Sequence, residues 1–210
     1  MKKNKLLWIT TIICLLPMIL SFILYDRLPS EIAIHFNEAG VPDDYAPKAF
    51  AAFGLPALMA GFNIFIHFML NADPKKRNAA PAMKYMGKWL IPIMSVILVP
   101  VTLFIARGYK VPIEMVVSAM IGVIIVICGN YLPKCKQNYT VGIKLPWTLN
   151  SELNWNKTHH MAGYLWVIGG ICIIISSFIP LSNAFITLII VLVITIIPCF
   201  YSYWLYRRGI

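Results

Sequence analysis

The chain has 210 residues, 60% of them hydrophobic and 12% charged, with a mean hydropathy of +0.76. Soluble globular domains are nearer 45 to 50% apolar and carry about 25% charged residues, so the composition excludes a water-soluble fold as the body of the molecule. A net charge of +10 would suggest nucleic acid in a soluble protein, but here the basic residues lie beside apolar runs. Anionic lipid headgroups are then the nearer partners, so membrane lipids are expected and direct nucleic-acid binding is not.

About 20 apolar residues span a hydrocarbon core as a helix, the backbone bonding only to itself. Six such runs occur in chain order, at 6–25, 49–70, 89–106, 115–132, 161–181 and 184–206. They predict an all-α, polytopic membrane protein with six transmembrane helices packed as a single membrane domain over 1–210. The basic start Met1-Lys2-Lys3-Asn4-Lys5 resembles that of a signal peptide, but no small-residue cleavage site follows the first run. That run is read as a retained helix. Pro17, Pro56, Pro92, Pro100 and Pro198 fall inside spans and predict kinks.

Charge sets the expected orientation. With a cytoplasmic N-terminus, fourteen of the eighteen basic residues fall on inner segments, while the outer segments carry six of the eight acidic ones: Asp26, Glu31, Glu38, Asp43, Asp44 and Glu114. Basic residues resist translocation, so both termini are expected in the cytoplasm. The cysteines agree. Cys14, Cys128, Cys172 and Cys199 lie in spans and Cys135 just inside, none on the face where a disulfide would persist.

The first long connection, the extracellular loop 26–48, exceeds what a simple helix connector needs. Its candidate binding residues are Glu31, His35, Phe36, Asp43, Asp44 and Lys48. Leu28, Ile32, Ile34 and Phe36 are expected to anchor the loop, and Asn37 to Gly40 to form a turn. Glu31 and His35, four apart, would face the same way on a short helix, with Asp43 and Asp44 joining them across the turn. A lone four-residue spacing is too little for a metal site, so no metal and no cofactor is expected. The acidity favours a cationic peptide.

No span interior contains Asp, Glu, Lys or Arg, which argues against a charge-relay pump, because such devices place ionisable groups near the midplane. His67 is the one histidine within a span and is expected to make a helix-to-helix or headgroup hydrogen bond. Gly54 and Gly61, Ala119 and Gly122, and Gly163, Gly169 and Gly170 supply small surfaces for close helix approach.

The second long connection, the cytoplasmic loop 133–160, alternates lysines with aromatic rings in the manner of an interfacial segment. Thr148 or Ser151 is expected to cap a short helix, and a helix from about Ser151 would bring Trp155 and His159 to one side. Binding or signalling candidates here are Asn130, Lys134, Asn138, Gly142, Lys144, Pro146, Trp147, Trp155 and His159. The loop has histidines but no nucleophile, carboxylate pair or ligand set to work with them. An enzyme is not expected, and a surface that binds a protein is the sharper reading.

In order and spacing two motif sets resemble those of the SdpI immunity-protein family with its associated N-terminal domain. The first is Leu28-Pro29, Ile34-His35-Phe36, Gly40, Pro42-Asp43 and Lys48. The second is Gly129-Asn130, Pro133-Lys134, Asn138, the run from Gly142 to Leu149, Ser151, Trp155, Thr158-His159 and Ala162-Gly163. Lys144 stands where Arg is common in that family, a change that weakens bidentate contacts. The resemblance implies a multi-pass protein of the bacterial cytoplasmic membrane that protects against a secreted killing peptide met on its outer face. It also implies a route to signalling, by holding a transcriptional repressor at the inner face. A small-molecule or lipid transporter of the envelope is the alternative, and a membrane-embedded enzyme the third reading.

Overall fold

The computed structural model describes residues 2–37, 39–179 and 183–210. Glu38 and the end of the fifth predicted span therefore lie outside the described residues. The order of elements is α1 (Lys2–Leu15), α2 (Pro17–Leu24), β1 (Glu31–Phe36), β2 (Pro42–Pro47), α3 (Leu55–Ala72), α4 (Pro81–Ala106), α5 (Ile113–Tyr131), α6 (Pro146–Asn150), α7 (Glu152–Ser177) and α8 (Asn183–Arg207). Six helical stretches are long and apolar enough to cross a membrane: Lys5–Arg27, Phe50–Ala72, Pro81–Ala106, Ile113–Lys134, Glu152–Ser177 and Ala184–Arg207. All six predicted spans are present, in an all-α arrangement with one small hairpin.

Two compact units divide the chain, Met1–Asn71 with Tyr85–Ile113, and Ala72–Lys84 with Glu114–Ile210. In the first, Leu24, Leu28, Ile32, Ala51, Val99 and Leu103 make a buried cluster at the foot of the hairpin. Apolar burial is therefore continued from helices into β1. Ser95 Oγ donates to the Cys14 carbonyl at 2.7 Å and ties α4 to α1.

The second unit is held by close approach of main chains. A Cβ on Gly122 would come within 2.8 Å of the Gly170 carbonyl, and one on Gly129 within 2.8 Å of the Gly163 carbonyl. Gly163 and Gly170 meet those same partners in return. Two glycines seven apart on α5 thus face two glycines seven apart on α7, a spacing that keeps both pairs on one seam. On α5, Gly129 joins Gly122 in this seam.

The prolines act by removing donors. Pro17 separates α1 from α2, and Pro56 follows a π-turn at Phe50–Gly54 in which Leu55 N–H reaches back to the Phe50 carbonyl. Pro198 cannot donate to the Ile194 carbonyl, and the indole of Trp166 does so instead at 2.9 Å. α4 runs unbroken through Pro92 and Pro100, and α8 through Pro198.

Candidate functional site

The first set of predicted residues is on an antiparallel hairpin. The expected short helix through Glu31 and His35 is a strand: Ile32, Ile34 and Phe36 alternate at the period of a pleated sheet, and Ile32 is buried in the unit's core. The strand pairs Glu31 with Pro47, His35 with Asp44 and Phe36 with Pro42, with irregular register on either side of His35. That irregularity turns His35 toward Asp43. Their Nδ1 and Oδ1 atoms meet at 2.5 Å, with side chains 65% and 42% exposed.

Asp44 Oδ1 accepts the N–H of Tyr45 at 2.9 Å. Asn37 closes the turn as expected, its Oδ1 accepting the N–H groups of Ala39 and Val41 at 3.0 Å, and Gly40 takes φ of 71°. Lys48 donates its backbone N–H to the Ser30 carbonyl, and its ammonium lies 4.4 Å from the centre of the Tyr25 ring. Its charge is thereby drawn back to the end of the first span. Glu31, His35, Asp43 and Asp44 remain exposed, and Phe36 is half-buried. No group of three or more His, Cys, Asp or Glu side chains able to hold a metal occurs among the described residues.

The second set is built around the start of α7, which begins at Glu152, nine residues before the predicted span. Ser151 caps it, its Oγ accepting from Asn154 N–H at 3.2 Å. Thr148 acts at the start of the preceding short helix, satisfying the N–H of its N-cap residue Leu145. It lies inside α6, accepts the Leu145 N–H at 2.8 Å and donates to the Ile143 carbonyl at 2.9 Å. Trp155 is fully buried, donates its indole N–H to the Cys135 carbonyl at 2.8 Å, and stacks on His159 with ring centres 3.9 Å apart.

His159 in turn accepts the Ile143 N–H at 2.8 Å. Gly142 fits beneath these rings because it has no Cβ and takes φ of +121°; a Cβ there would lie 2.5 Å from His159 Nε2. Asn138 Oδ1 accepts the Thr140 and Val141 N–H groups at 3.1 and 2.7 Å. Lys144 spends its ammonium on the carbonyls of Tyr139 and Thr140, both at 3.2 Å, so it braces the loop. Pro146 opens α6 and is exposed. Trp147 donates to Ser202 Oγ at 2.7 Å and stacks against Tyr206. Asn130 and Lys134 stand outside this network, the latter with its ammonium 4.6 Å from the Tyr131 ring centre.

Three organising residues were not singled out by the sequence. Asp73 is buried and accepts from Lys75 N–H at 2.7 Å, Thr140 Oγ1 at 2.6 Å and Tyr139 N–H at 3.1 Å. Burial alone would raise its carboxyl, but the bonds from Thr140, Lys75 and Tyr139 outweigh this and hold it below the usual carboxylate value. Gln137 donates to the carbonyls of Thr148 and Leu149 at 2.9 and 2.7 Å. Asn154 gathers Ser202 and Thr158 on its carbonyl oxygen and donates to the Ser202 backbone. The arrangement is a pre-formed loop, with its polar groups used to fix backbone.

The two segments coincide with two family matches. The SdpI/YfhL protein family matches residues 134–202, and a domain of unknown function (DUF1648) matches residues 12–60. Across 209 residues the chain is 30% identical to "Immunity protein SdpI" of Bacillus subtilis (strain 168), covering 99% of this chain and 98% of that one. The chain belongs to the SdpI family. No solved structure matches it. SdpI-family membership, with six apolar helices, makes it a multi-pass bacterial membrane protein of a non-catalytic family. The hairpin lies within the DUF1648 match and most of the basic loop within the SdpI/YfhL match.

Proposed function

We propose that this protein is an immunity or resistance factor that recognises a secreted killing peptide on the outer face of the membrane. The observation that carries this reading is the 30% identity to Immunity protein SdpI over nearly the whole of both chains. Charge asymmetry supports an orientation with both termini in the cytoplasm, the hairpin within an extracellular loop at 26–48 and the basic loop within a cytoplasmic one at 133–160. The exposed carboxylates Glu31, Asp43 and Asp44 then attract a cationic or amphipathic peptide, and Tyr45 offers an exposed ring beside them.

The finer reading is that the basic loop binds a cytoplasmic repressor. Its backbone is fixed from beneath while Tyr139, Lys144 and Pro146 stay exposed, an arrangement suited to presenting anchors at little entropic cost. The test is deletion and complementation in the native bacterium under challenge by a panel of secreted killing peptides. Selective sensitivity restored by the intact gene supports immunity. Unchanged survival, together with loss of uptake or efflux of a small molecule or lipid, favours a transporter instead. Loop substitutions that keep survival but abolish an induced transcriptional response would separate repressor binding from protection.

A further inference from the structure

Within the first unit, a polar cluster joins the first and second membrane spans. Asn63 on α3 is fully buried, and its Nδ2 donates to Thr10 Oγ1 and Thr11 Oγ1, both at 3.0 Å. His67, one turn further along α3 and 2% exposed, places Nε2 3.1 Å from Thr10 Oγ1. Thr10 has one hydroxyl proton, directed at the Leu6 carbonyl at 2.9 Å. Its oxygen accepts from Asn63 and faces His67 Nε2 as well.

Both protons of the Asn63 amide are thus used, but Asn63 Oδ1 is buried with no hydrogen-bond partner. Among the described residues only one other buried side-chain polar atom, Ser21 Oγ, is in that position. In hydrocarbon an unmet carbonyl oxygen is costly, and neighbouring lipid offers no donor. Turning the amide over does not help. It exchanges the orphaned oxygen for an orphaned N–H.

We infer that a water molecule is bound at this cluster, donating to Asn63 Oδ1 beside His67 within the membrane span. Water meets the requirement in either amide orientation, being both donor and acceptor, and the site offers several polar partners. The consequence concerns the two helical segments that enter and leave the hairpin. Their contact near the N-terminal end of the first span is a hydrated tie that re-forms when they slide, unlike the dry cluster of Leu24, Ile32 and Leu103 at the hairpin's foot.

Radiolytic hydroxyl-radical footprinting of the intact protein in detergent, read by mass spectrometry, tests this. Radicals formed from a bound water oxidise the side chains beside it. His67 should be oxidised at a rate comparable with the exposed His160, and Asn63→Leu should abolish that oxidation while His160 is unchanged. Asn63→Ser, which keeps an acceptor and enlarges the site, should preserve it and serves if the leucine variant fails to fold. An unoxidised His67 in the folded wild type, or equal oxidation in the Leu variant, overturns the inference.

Discussion

The Nε2 atom of His159 accepts the backbone N–H of Ile143 at 2.8 Å, while Nδ1 lies 2.7 Å from the Trp155 carbonyl and donates to it. One buried ring thus fixes its own tautomer and holds the basic loop to α7. Replacing it by Phe should leave the Ile143 N–H without a partner, at a cost of about 1 to 3 kcal/mol. His159→Gln, which can still accept, should recover part of that. Thermal unfolding in detergent reads the stability, and tryptic cleavage after Lys144 reads release of the loop.

Gly142 and Gly61 make a matched pair for testing backbone constraint. Gly142→Ala places a methyl group 2.5 Å from His159 Nε2 at a φ of +121°, whereas a Cβ on Gly61 meets nothing within 4 Å. The first change should destabilise by roughly 1 to 3 kcal/mol through overpacking and strain. The second should be neutral or stabilise by about 0.5 to 1 kcal/mol, since Ala is the better helix former. Equal melting temperatures for the two variants would contradict the packing described for the loop.

Asp73 predicts an acid limit for the loop. Its folded carboxyl titrates below the ordinary 3.8, so its contribution is complete above that value and is lost only as pH falls through the lower folded value. Asp73→Asn keeps one acceptor but turns an amide donor toward a site populated by donors. That variant should be less stable at neutral pH and show a weaker loss of stability on acidification. Protease protection of residues 136–145, followed from pH 7 downward, checks both parts.

The hairpin pair behaves differently because it is exposed. His35→Ala and Asp43→Asn should leave the melting temperature of the detergent-solubilised protein essentially unchanged, surface pairs contributing little. If the acidic hairpin recognises a killing peptide, Asp43→Asn combined with Asp44→Asn should nonetheless reduce protection, most strongly at low ionic strength. Survival equal to wild type at every peptide dose would remove the hairpin from the recognition surface.

The membrane helices were legible because apolar runs of sufficient length have few other uses. The hairpin was legible only in part. Ile32, Ile34 and Phe36 carry a strand's alternation, but Glu31 and His35 carry a helix's four-residue spacing, and burial of Ile32 in the core decides between them. The start of α7 was missed by hydropathy because Asn154, Thr158 and His159 lower the average, although all three are buried with hydrogen bonds. Ser151 was the better marker. Asp73 was invisible, because its partners Tyr139 and Thr140 lie far along the chain and no spacing rule connects them.

The seam between α5 and α7 limits what can move. Gly122, Gly129, Gly163 and Gly170 have no side-chain torsions, so there are no rotamers by which the contact can yield gradually. The two helices must travel together or part altogether. A ligand that displaces the basic loop would therefore do so by carrying α5 and α7 as one stiff lever, with α8 drawn along through Asn154 and Trp166 and the connections left to absorb the strain.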